Sequence, residues 1–181
     1  MSDLTITHAG QTISQSREDI LTAGKKLNQM RVDLIDVTPA IETSTIDAHD
    51  VLFTSTKVEN AIGVKNGTAI LQSICLIDQT DTSVDTGVQI DLVFTQDATT
   101  LGSLDAAVSA ADSVLDGILG IVSITNYVDM INGQIATKQN VGLVLKSTTD
   151  TRDIYVAGII REAGTARAVD AIDLRLGIVQ D

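Results

Sequence analysis

The chain has 181 residues, 44% of them hydrophobic, with mean hydropathy +0.22, a formal charge of −12 and a pI near 4.3. It is too apolar to be a disordered chain and long enough for one domain with its own core. Its acidity repels phosphate backbones and anionic lipid surfaces, so neither nucleic acid nor a membrane is expected as a partner.

Only Phe53, Phe94, Tyr127 and Tyr155 are aromatic. The core must therefore be aliphatic, and the β-branched residues that dominate its apolar runs favour strands. Residues 1–30 differ from the rest. Arg17, Lys25 and Lys26 balance Asp3, Glu18 and Asp19, so the whole negative excess falls on residues 31–181. The segment is polar, opens without a basic start or apolar h-region, and is not expected to be a secretory signal. Ser16 and Asp19 form an S-x-x-D box that predicts a helix over Arg17–Met30, which Gly24 weakens. The segment reads as an N-terminal arm, flexible alone and ordered on a partner.

From residue 31 the polarity alternates. Val32, Leu34, Ile35 and Val37 predict a strand that ends at Thr38-Pro39, the only proline and an edge or turn signal. Asp50–Val58 predicts a second strand and Val58–Val64 a third. Lys65-Asn-Gly-Thr68 reads as a hairpin turn. Ala69–Ile77 is a long apolar strand, expected to be central. A loop follows from Asp78 to Gly87. In Val88–Thr95, the spacing turns Val88, Ile90, Leu92 and Phe94 inward and Gln89, Asp91 and Val93 outward.

A short helix is expected around residues 109–117. Beyond it come strands at Ile118–Ile124, Tyr127–Ile131 and Gln134–Lys138, the last two joined by an Asn132-Gly133 hairpin turn. Val141–Lys146, Ile154–Arg161 and Ala171–Val179 complete the series. About nine or ten short strands with at most two helices predict an all-β fold, a β-sandwich or jelly-roll-like barrel. The expected organisation is an arm at 1–30 and a sandwich domain at 31–181. No apolar run approaches the ~20 residues that span a bilayer.

The residues that carry chemistry are few. Cys75 is the single cysteine, so no intrachain disulfide forms, and its apolar setting predicts a buried structural thiol. His8 and His49 are the only histidines. Triads and His-rich metal centres need several converging donors, which one body histidine and one cysteine do not supply. Asp47, His49 and Asp50 read as a solvated turn before a weak cation site. Asp78, Asp81 and Asp85 share an oxygen-rich loop, but the spacing lacks the EF-hand intervals and terminal Glu. Gly63-Val-Lys-Asn-Gly67 lacks the strand-to-helix setting and the Lys-Ser/Thr pair of a phosphate loop. Sugar sites rest on aromatic platforms, and there is no Trp. No catalytic, cofactor-binding or metal residue is therefore nominated, no cofactor is expected, and the chain is not expected to be an enzyme. The features left are shape, strand edges and apolar surface, which serve assembly.

Several framework segments carry a resemblance. They are Asp36-Val-Thr-Pro-Ala-Ile-Glu-Thr-Ser44, Asp50-Val-Leu-Phe53, Gly67-Thr-Ala-Ile-Leu-Gln-Ser73, Leu76-Ile-Asp78 and Asp91-Leu-Val-Phe94. They continue with Leu119-Gly-Ile-Val122, Asn126-Tyr-Val-Asp129, Ala136-Thr-Lys138, Leu143-Val-Leu-Lys146, Ile154-Tyr-Val-Ala157 and Leu174-Arg-Leu-Gly177. Across residues 32–179 the chain resembles a family of small β-rich structural proteins of tailed-bacteriophage virions. The resemblance implies a capsid decoration, or cement, protein: a homo-oligomer, by family habit a trimer, on the outer capsid surface and bound to the major capsid protein. Assembly would take place in the host cytoplasm. A tail, neck or head-fibre protein is the alternative within the virion, and a carbohydrate-binding β-module the alternative outside it.

Overall fold

The computed structural model describes residues 4–8, 11–15, 31–41, 43–80, 88–148, 150–163, 166–167 and 169–180. The chain divides into two compact units, Met1–Arg31 and Val32–Asp181.

In the first unit, β1 (Leu4–His8) and β2 (Gln11–Gln15) pair antiparallel, from Leu4 opposite Gln15 to His8 opposite Gln11. The arm reading missed this hairpin. Its signal was present in the β-branched alternation of Leu4-Thr-Ile-Thr-His8 and Gln11-Thr-Ile-Ser-Gln15. The helix expected over Arg17–Met30 lies outside the described residues.

The larger unit is an all-β sandwich of two sheets. One sheet has the order β3-β11-β5-β9-β8, built from β3 (Arg31–Val37), β11 (Ile172–Gln180), β5 (Thr68–Asp78), β9 (Gln134–Lys146) and β8 (Tyr127–Asp129). The other has the order β4-β10-β6-β7, built from β4 (Val51–Val58), β10 (Ile154–Ile160), β6 (Ile90–Thr95) and β7 (Ile118–Ile124). Between them lies an aliphatic core that includes Leu71, Ile74, Leu76, Ile90, Leu92, Leu174 and Leu176, with Phe53 and Phe94 fully buried. Each such side chain contributes roughly 1.5–3 kcal/mol on burial.

The strand expectations hold for most segments, with β5 central in its sheet as anticipated. Three differ. Val58–Val64 is not a strand: β4 ends at Val58 and a turn follows. Asn66 takes a left-handed φ of 56° and Gly67 N–H donates to Val64 C=O at 3.0 Å, so Asn66-Gly67 is a turn. It joins β4 and β5, which belong to different sheets, so it is a crossover and not a hairpin. Gln134–Lys138 and Val141–Lys146 are one strand, β9, folded over a bulge where Asn140 and Gly142 adopt φ of 55° and 68°. The Asn132-Gly133 hairpin does form between β8 and β9, with Met130 N–H donating to Gly133 C=O at 2.8 Å.

The helix is shorter than expected. α1 spans only Asp112–Leu115. Its neighbourhood has another task, which is to cover the outer face of the four-stranded sheet. Val51, Val93, Ile118, Ala157 and Ile159 belong to that sheet and pack against Leu101, Ala110 and Val114. This explains why Val93, expected to face solvent, is buried; Asp91, also expected outward, is buried with its carboxylate held by Arg161 and Gln89. β6 is enclosed on both faces.

Gly158 sits opposite Phe53 in the β4–β10 pair. A β-carbon there would overlap the Phe53 ring, so only glycine lets the ring lie flat on the strand.

Candidate assembly surface

His49 adopts φ 73° in the turn before β4, and its Nδ1 lies 3.4 Å from Arg161 Nη1. Since a guanidinium only donates, this nitrogen must accept. The Asp50 N–H donates to Asp47 C=O at 3.3 Å. His49 therefore serves the Arg161 side of an ion pair in which Arg161 Nε donates to Asp91 Oδ2 at 2.6 Å. Burial pulls the Asp91 carboxyl upward, but hydrogen bonds from Ser123, Arg161 and Gln89 together with the guanidinium charge outweigh it, and the net shift is downward.

Asp78 is not part of an open oxygen-rich loop. It closes β5, is buried, and accepts from Arg167 Nε at 3.2 Å, from Gln134 Nε2 at 3.4 Å and from Thr80 N–H at 3.0 Å. Asp81 and Asp85 lie outside the described residues. Tyr127 is half-buried, with its hydroxyl enclosed, and burial first, then the Asp78 charge, push that hydroxyl well above the usual range, with Arg167 opposing. Among the described residues no group of three or more His, Cys, Asp or Glu could hold a metal ion.

Cys75 also departs from expectation. It is half-buried and points to the outer face of the five-stranded sheet, between Arg175 on β11 and Thr137 on β9. The long apolar run suggested burial on both sides. Ala69, Leu71, Ile74 and Leu76 do turn into the core, and the alternate residues do not.

Those alternate residues make the most distinctive surface of the unit. Pairing registers align Val179, Ile70 and Val144 in one row across β11, β5 and β9. Asp36 on β3 reaches Arg175 at 2.7 Å on the same side, so period-two alternation places Val32 and Leu34 there too. Val32 is 70% exposed, Leu34 64%, Val144 57% and Ile70 38%. Further along, Ile77, Ile135 and the exposed Val128 form a second apolar row. A groove of about 180 Å³ lies beside it, lined by Asp36, Ile77, Asp173, Leu174 and Arg175.

The charges on this face balance. Asp36 and Asp173 stand against Arg175 and Lys146, a sum of zero on a chain of −12. Asp173 accepts from Thr38 Oγ1 and from Gln79 Nε2, and Lys146 Nζ donates to the Asn66 carbonyl at 3.0 Å. The chain matches no protein-family model and no curated protein.

Sequence reasoning named no residue of this face as functional. The signal was there in Ile70, Ile77, Val144 and Val179, apolar at positions that alternate with the core set. Two apolar faces on a strand mean that both are covered, by the same chain or by another.

Proposed function

We propose that the chain is a non-enzymatic structural protein that acts by docking onto copies of itself and onto a larger assembly. In particular we infer a decoration, or cement, protein on the outer capsid surface of a tailed bacteriophage, bound to the major capsid protein. The observation that carries the reading is the apolar face of the five-stranded sheet, left open by the described residues, in an otherwise acidic body. Large exposed apolar patches mark interaction surfaces. The negative body suits an outer shell surface better than a DNA-filled interior. The family resemblance over residues 32–179 supplies the virion setting. Many modest interfaces repeated over a shell would stiffen it through avidity.

The test is co-sedimentation of the purified full-length protein with expanded capsids, with the bound copy number measured. Saturation in proportion to the major capsid subunits supports the cement role. A few copies per particle would move the protein to the tail or neck, and no binding at all would overturn the virion reading.

A further inference from the structure

The two outer faces of the sandwich are treated differently by the chain. That of the four-stranded sheet is covered by Leu101, Ala110 and Val114, with Ile121 on the edge strand β7 left exposed. On that of the five-stranded sheet, Val32, Leu34, Ile70 and Val144 are left open by the described residues. We propose that a second copy of this chain covers it, face against face. The inference rests on reading this face as an assembly surface and names its occupant.

Charge selects the occupant. Two chains of −12 repel as they approach within a Debye length, roughly 8 Å at physiological salt. They can close only through a region without net charge, and this face is one: Asp36 and Asp173 cancel Arg175 and Lys146. The charges are also arranged to complement themselves. Lys146 stands opposite Thr68 at the start of β5, and Asp173 opposite Ile77 near its end. A copy reversed along the strand direction brings its Lys146 over the acidic end of the first, and the same contact recurs by symmetry. The apolar row between those ends then meets its own equivalent, giving the charge-poor, aliphatic centre of a homodimer interface. The unit this face builds is a pair, where the family resemblance implies a trimer.

The experiment is light scattering on the full-length protein beside Ile70→Glu and Val144→Glu, with circular dichroism on all three. Both positions are solvent-facing, so the fold is expected to survive. The expected result is a mass of two chains that falls to the 19.1 kDa of one chain in both variants. A second readout needs no substitution. Cys75 lies on the same face, so its alkylation should slow several-fold as protein concentration rises into the dimeric range. A trimer, a wild-type monomer at every concentration, or variants that keep the dimer mass would overturn the pairing. A monomer that still binds capsids, and loses that binding in Val144→Glu, overturns the pairing and leaves the assembly reading standing. A monomer that ignores capsids overturns both.

Discussion

Asp78 and Arg167 meet at 3.2 Å with 1% of either side chain exposed. The pair ties the end of β5 to the segment that leads into β11, and Gln134 adds the start of β9. It is not fully satisfied, since Arg167 Nη1 is buried with no partner among the described residues. Removing one partner of such a pair strands the other charge in a poorly polarisable interior.

Arg167→Met is therefore expected to cost about 3–5 kcal/mol, and Asp78→Leu a comparable amount. The double variant should cost far less than the sum, because no charge is then left alone. Urea unfolding of the four proteins, read from midpoints at constant slope, measures the coupling. Additive losses would mean that the pair does not act as a unit.

Gly158 and Phe53 give a steric counterpart. Gly158→Ala forces the Phe53 ring out of its place, and overpacking of this kind costs about 1–3 kcal/mol. Phe53→Leu vacates ring volume, so the Gly158→Ala cost should shrink in that background. A cost that stays the same would show that the strand backbone, and not the ring, resists the extra carbon.

The strands were legible in the sequence because their signal is local: the strand character of Ile118–Ile124 marks β7 to the residue. What escaped depends on partners distant in sequence. Asn66-Gly67 has the residues of a hairpin, yet the strands it joins pair elsewhere, β4 with β10 and β5 with β9 and β11. Val93 occupies an outward position of an alternating strand, but Leu101 and Val114 return to cover that side. The same logic hid the proposed assembly surface. Ile70 and Val144 look like core residues in a one-dimensional pattern, and what distinguishes them from Val93 is that no segment among the described residues covers them. Arg167 carried no local signal at all, since its burial depends on Asp78, 89 residues away.

Asp91 links this packing to pH. Its folded-state pKa is lowered, so its carboxylate contributes stability above the unfolded-state value of about 3.9, and that contribution is lost as pH falls through the lower folded value. Stability should therefore begin to drop below about pH 4, where the unfolded chain takes up a proton that folded Asp91 still excludes, and Arg161 loses its charged partner only at lower pH. Asp91→Asn is expected to lower stability at neutral pH and to flatten the acid limb of the stability curve. Thermal midpoints from pH 7 down to 2.5 would reveal it; parallel curves for the two proteins would dissociate Asp91 from the acid response.

The β8–β9 hairpin holds a residue in the wrong conformation for its type. Ile131 adopts φ 75° with 85% of its surface exposed, and its N–H donates to Asp129 Oδ1 at 2.7 Å. A β-branched residue in the left-handed region costs on the order of 1–2 kcal/mol, and here almost no burial offsets it. Ile131→Asn keeps the N–H, tolerates the backbone and should raise stability by about 1 kcal/mol, or about 2–4 °C for a chain of this size. Gly133, two residues on, behaves oppositely. It sits at φ 154°, and a β-carbon there would meet the Asp78 carbonyl oxygen at 2.7 Å, so Gly133→Ala should destabilise. If Ile131→Asn instead lowers the melting temperature, its exposed side chain is held by a contact outside the single chain. Repeating the melt across a dilution series separates the two cases, since strain is independent of concentration and an intermolecular contact is not.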